Sequence, residues 1–358
     1  MFKLEELYIF DSNLNLVGEI STFESLEIER NYYTTSKLTL RVGKNNLNVR
    51  NLINGNIIAL KSDLSYGYII QHFSLIKEES DIVEVFALSL NSLLGRRTIP
   101  TQSRFTGDLT RVIENFVNYN AIQTVTSRVI PNLFISNNTL SNINVDSSAT
   151  GGVLSEHIQS LAQEFEIGIE ILMDVINKNL RLVVYKGPDY SINQTANNPI
   201  IFSLDFDNIL EQTYFDSVLD YKNIAIVAGE GEGINRVIVE AGNAPEGIER
   251  REVYVDARDL QSVYQDENGT DITIPDNEYR QLLIQRGLEA LQEYNRVQNF
   301  QATVNGVQYN YDVGFLVTFM DRELGIQDNV RITSISTKID RNGKEVKPTF
   351  GNGIIRKR

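Results

Sequence analysis

Cysteine and tryptophan are absent from the 358-residue chain, and histidine occurs only twice. Without cysteine there is no disulfide, no thiolate metal site and no cysteine nucleophile. A structural zinc centre takes four protein ligands, commonly His, Cys or acid, so two histidines leave little to build one. Positive charge is short as well: 33 Lys and Arg stand against 47 Asp and Glu, a formal net charge of −14. Non-specific nucleic-acid binding needs cations that displace phosphate counterions, and this balance argues against it. The basic run Arg356 to Arg358 is read as a solvated tail. No run of about 18 apolar residues occurs, so no transmembrane helix is expected. The segment Met1 to Tyr8 has its apolar residues interrupted by charge and no cleavage site follows, so it is not read as a signal peptide. Synthesis and folding in a cytoplasm are expected.

What is present is strand after strand. Apolar runs at 51–60, 68–76 and 82–88 are separated by polar turns, as in a small antiparallel barrel or sandwich. A similar set returns at 311–319, 329–335 and 345–350, with a turn at Arg341 to Gly343. Gly55 and Gly314 each precede an apolar strand, which suggests one β-module present twice. Upstream, Leu38, Leu40 and Val42 alternate on one face of a further strand.

Helical spacing interrupts this pattern. Leu109, Val112, Ile113, Phe116 and Val117 fall on one stripe, as do Val153, Leu154, Ile158, Leu161, Ala162 and Phe165. Strand alternation from Glu166 to Asp174, a turn at Asn177 to Asn179 and a return to Tyr185 complete an α+β unit. Pro275, Asp276 and Glu278 mark the start of a longer helix. The fold class expected is mainly β with α+β insertions: two related small β-barrel modules and two insertion domains. The expected division is 1–100 for the first module, 101–200 for the α+β insertion, 201–229 with 299–351 for the second module, 230–298 for a helix-bearing insertion, and 352–358 for a tail. Pro100 is taken as a boundary. The strand from Asn223 to Gly229 is matched with that from Lys37 to Gly43.

No motif carries catalytic chemistry. His72 alternates with the apolar residues of its strand, and His157 lies beside a helix's apolar stripe. Ser155, Glu156 and His157 are triad-type residues, but adjacency on a helix is not triad geometry. Gly229, Gly231 and Gly233 follow a strand like a phosphate loop, yet Glu230 and Glu232 would repel phosphate and a strand follows. The acidic run Asp266 to Asp271 offers oxygen ligands at alternate positions, but its glycine comes too early for a calcium loop. Catalytic, cofactor-binding and metal-binding residues are therefore all expected to be none, with no cofactor.

The pieces 23–29, 38–43, 54–60, 88–97 and 314–351, with their two intervening insertions, resemble the central hub proteins of phage tail baseplates and tail tips. The resemblance implies a homotrimer in the virion, its six similar modules matching a sixfold tail tube on one side and a threefold tip on the other. It implies contact with the distal tail protein, the tail tube and the tape-measure protein, a possible spike or receptor-binding protein, and DNA only in transit through a channel. Such hubs often carry a hydrolase or fibre-binding extension, which is not expected in a chain ending at Arg358. A glycan-binding module, with 16 tyrosines for stacking, and a peptidoglycan hydrolase are the alternatives. Oligomeric state, cell-wall binding and turbidity clearing separate the three.

Overall fold

The computed structural model describes residues 5–77, 81–136, 140, 143–206, 208–243, 245–265, 271–294, 297–304, 311–323 and 325–351. The chain is mostly β. It begins with strands β1 (Leu7–Phe10), β2 (Leu16–Ile20), β3 (Ser25–Asn31), β4 (Lys37–Gly43), β5 (Ile57–Leu60), β6 (Asp63–Lys77) and β7 (Asp81–Ser89). The alternation in β4 is realised: Leu38, Leu40 and Val42 are each 0% exposed, facing Leu26, Ile28 and Val85 in one apolar core.

Next come β8 (Thr98–Asp108), helix α1 (Leu109–Val117), β9 (Leu133–Ile135), β10 (Asn144–Val153), α2 (Leu154–Glu164), β11 (Gly168–Asp174) and β12 (Asn179–Tyr185). Helix α1 buries its whole expected stripe and α2 buries Leu154, Ile158, Leu161 and Ala162, while Val153 ends β10 and Phe165 follows α2, both half-buried. Asp108 caps α1 by accepting from Thr110 N at 3.0 Å. Pro100 lies within a strand rather than between strands. That strand is β8, and at Pro100 the register with β10 shifts, a position at which the missing N–H breaks no ladder bond.

The chain continues through β13 (Ile201–Phe202), β14 (Ile209–Ser217), β15 (Ile224–Ala228), β16 (Ile238–Gly242), β17 (Glu252–Asp256), β18 (Val263–Gln265), β19 (Asp271–Thr273) and α3 (Asp276–Leu291). It closes with β20 (Val297–Val304), β21 (Leu316–Asp321), β22 (Ile326–Asp340) and β23 (Gly343–Gly351). The acidic run Asp266 to Asp271, read against a calcium loop, falls mostly at 266–270, outside the described residues, as does the basic run 356–358.

One 13-stranded sheet runs β14-β20-β23-β22-β3-β4-β7-β6-β5-β1-β2, with β21 beside β22 and β13 beside β21. Within it the antiparallel order β3-β4-β7-β6-β5 recurs as β14-β20-β23-β22-β21. The agreement extends to detail. Strands β6 and β22 each hold 15 residues and each carry a bulge, after Ile70 and after Ile332. Gly55 and Gly314 have φ of 91° and 84° and stand two residues before β5 and β21. Gly55 N donates to Ile70 O at 3.0 Å, and Gly314 N donates to Ile332 O at 2.7 Å. Ile70 N and Ile332 N return bonds to Asn56 O (2.8 Å) and Phe315 O (2.9 Å). The halves diverge at the next strand, β1 running antiparallel to β5 and β13 parallel to β21.

Two expectations are corrected. Strand β15 is not the second counterpart of β4; it is the centre of a separate sheet, β16-β15-β17, lying under α3. Its apolar run ending at Gly229 reflects burial of Ala225 and Val227 against Leu283 of α3, while β20 takes the β4 position. Nor does strand pairing among the described residues close either half into a barrel. The outer side of β3 is taken by β22 of the other half, in the register Ser334–Asn31 to Asp340–Ser25, so the two halves share one open sheet.

Candidate assembly surface

The residues singled out for chemistry are dispersed and structurally occupied. His157, on α2, packs edge-on to Phe116 at 4.4 Å and shares a hydrogen bond of 3.1 Å with Ser147, not with Ser155. Burial pushes its pKa down to about 4, keeping the ring neutral. His72 is exposed on β6, stacked on Phe86 at 5.3 Å. At the glycine-rich turn, Arg236 donates to Gly229 O at 2.9 Å and to Ala228 O at 2.8 Å, while Glu230 accepts from Ser262 N at 3.0 Å. A Cβ on Gly229 would stand 2.6 Å from the Tyr279 hydroxyl, so this glycine serves close packing on α3. No cluster of three metal-ligating His, Asp or Glu occurs among the described residues. A cleft of about 460 Å³ lies between β10, α2 and α3. Beside it Gln285 bridges Glu164 and Glu289 at 3.3 to 3.5 Å, and burial pushes Glu289 up to about 7.

A polar cluster fastens three parts of the chain together. Tyr32, at the end of β3, is fully buried, and its hydroxyl accepts from Gly187 N at 2.9 Å. Arg331 on β22 donates to Gly314 O at 2.6 Å and pairs with Glu166 at 3.1 Å, across the ring of Tyr32. Arg30 on β3 pairs with Asp312 at 2.6 Å and lies over the ring of Tyr66 at 4.4 Å. Glu170 of β11 is buried nearby; loss of solvent pushes it up to about 8 despite Arg30. These groups tie the first strands, the α+β unit and the last strands into one body.

Among the described residues the sheet leaves unmatched edges at β2, at β13, at β14 and along the far part of β6, and of these β6 and β14 are the ones that correspond to the strands β22 and β3 joined inside the chain. Beyond Ile70, β6 has β7 on one side only, and β14 has β20 on one side only, among the described residues. Both edges expose apolar side chains: Phe73 (51%) and Leu75 (43%) on β6, and Phe215 (52%) on β14. Unpaired apolar edges are templates for another chain. Neither edge is legible in the sequence, because an alternating apolar strand reads alike in a core and at an edge.

This fold is that of phage tail proteins. Over 97% of this chain and 96% of the other it is similar to the tail protein from Neisseria meningitidis MC58, at 12% identity and a TM-score of 0.58. The 43 kDa tail protein of prophage MuSo2 from Shewanella oneidensis is similar over 97% of this chain and 98% of its own, at 11% identity and a TM-score of 0.58. Prophage tail protein gp18 from Listeria monocytogenes EGD-e is similar over 98% and 95%, at 14% identity and a TM-score of 0.55. The chain belongs to the Siphovirus ReqiPepy6 Gp37-like protein family, which matches residues 6–352. No curated protein matches it.

Proposed function

We propose that this chain is a non-enzymatic structural protein of the virion, a homotrimeric hub at a tail tip or baseplate. The observation that carries the reading is the doubled strand order, β3-β4-β7-β6-β5 and β14-β20-β23-β22-β21, within one sheet. A chain with two equivalent halves gives six equivalent faces in a trimer, so it can meet a sixfold tail tube on one side and a threefold tip on the other. The two halves are its ring-forming modules. The α+β unit between them and the helix-bearing segment around α3 are insertions that face away from the ring. The partners that follow are the tail tube, the distal tail protein and the tape-measure protein, with a spike or receptor-binding protein at the distal face. DNA passes through the central channel. A net charge of −14 per chain suits that passage, since like charge keeps DNA from adhering.

Size-exclusion chromatography with light scattering on the purified chain tests the proposal. A trimer at micromolar concentration is the expected result, and a monomer overturns it.

A further inference from the structure

We propose that neighbouring copies join edge to edge: the free side of β6 in one copy pairs antiparallel with the free side of β14 in the next. The inference rests on the assembly reading above and names its contact. The internal β22–β3 seam supplies the template. Strand β22 corresponds to β6 and β3 corresponds to β14, so the seam already made once inside the chain is left unmade at its two ends.

The register follows from shared pairings. The bulges equate Ile332 with Ile70, and hence Ser336 with Ser74. Phe350 and Ala87 are equivalent, which equates Phe300 with Leu38 and then Tyr214 with Ile28 and Phe215 with Glu29. Ser336 pairs with Glu29 inside the chain, so Ser74 faces Phe215 of the partner subunit, and Leu75 faces Tyr214 of the partner subunit. The occupant is a second copy because each edge finds its counterpart on the other edge of the same chain. Each edge exposes large apolar side chains, Phe73 and Leu75 on β6 and Phe215 on β14, among the exposed polar residues His72, Ser74, Thr213 and Asp216, and pairing of the two edges covers part of that apolar surface. Such a contact is heterologous: the two surfaces differ, and repetition closes a ring when the rotation between halves divides a full turn.

Cysteine cross-linking tests the register directly, because the chain has no cysteine of its own. Inside the chain Tyr32 N donates to Thr333 O at 2.9 Å, which makes Tyr32–Thr333 a hydrogen-bonded pair and places Glu29–Ser336 at a non-hydrogen-bonded site, where side chains approach most closely. The same holds for Ser74 and the partner subunit's Phe215. The double variant Ser74→Cys/Phe215→Cys, mildly oxidised, is expected to give a reducible ladder on a denaturing gel that ends at the ring size. The variant Glu29→Cys/Ser336→Cys must form its disulfide within one chain, and mixed single variants Ser74→Cys and Phe215→Cys must give dimers only. Ser74→Cys/Thr213→Cys, slipped by two residues on the same face, is expected to cross-link far less. An oligomer that gives no ladder, or one only in the slipped variant, overturns the seam while the hub reading stands. A monomer by light scattering overturns both.

Discussion

Gly314 and Gly55 occupy the same place in the two halves but carry different loads. Both have positive φ, which costs an L side chain about 1–2 kcal/mol. A Cβ on Gly55 would meet nothing within 4 Å, whereas one on Gly314 would lie 2.3 Å from the buried ring of Tyr32. Gly187 is equally confined, since its Cβ would lie 1.8 Å from Gly314 O. Gly55→Ala is therefore expected to cost about 1 kcal/mol and Gly314→Ala roughly 3 kcal/mol or more, adding overpacking to strain. Equilibrium urea denaturation of the two variants checks the difference; equal losses would remove Tyr32 from the account. Glu170 sets a pH dependence in the same cluster. Its folded pKa, about 8, stands above the ordinary value of 4.5, so the folded chain holds a proton that the unfolded chain releases. That contribution is complete below pH 4.5 and is lost as pH rises through about 8; Glu289, at about 7, acts in the same direction. Glu170→Gln is expected to flatten the decline, gaining on the parent by a few kcal/mol between pH 5 and pH 8 in the same denaturation experiment. A parent whose stability rises across that window would contradict the assignment.

At the scale of elements, local signals are strong where a helix chooses its own partners. The stripe Leu109, Val112, Ile113, Phe116 and Val117 gave α1 from spacing alone, and Asp108 closes its first turn by accepting from Thr110 N and Arg111 N at 3.0 and 3.4 Å. Asp108→Ala removes that acceptor and is expected to cost about 1 kcal/mol in denaturation, with little change in far-ultraviolet circular dichroism. A cost near zero would mean that burial of the stripe alone sets the start of α1. The pair at Gly55 and Gly314 was legible for a related reason: a positive-φ glycine two residues before an apolar strand is a local device. What spacing could not give was partner choice. Strand β15 reads like β4, apolar and ending at glycine, but its neighbours are β16 and β17, while β20, more than 70 residues downstream, completes the large sheet. The β22–β3 seam joins residues such as Lys338 and Glu27, and no window of sequence holds both. The two edges were hidden more completely, since exposure of Phe73, Leu75 and Phe215 depends on which strand is missing beside them.

For the whole molecule, charge and edge act in opposite directions. Each copy carries a formal −14, so copies repel over the Debye length, about 30 Å at 0.01 M salt and about 8 Å at 0.15 M. The proposed seam is held by backbone hydrogen bonds, and its register sets no cation opposite a carboxylate, so salt screens little of its attraction. The internal seam differs in placing Lys338 opposite Glu27, where the corresponding outer pair is Ile76 and the partner subunit's Thr213. An assembly held this way loses repulsion as salt is added and loses little attraction. Raising ionic strength from 0.01 to 0.15 M is thus expected to tighten association several-fold, read by sedimentation velocity across a dilution series. An interface built on ion pairs would weaken over the same range. Weakening would move the contact from the sheet edges to the charged surface, while the ladder from Ser74→Cys/Phe215→Cys would independently place it back on the edges, so the two measurements together fix what holds the copies.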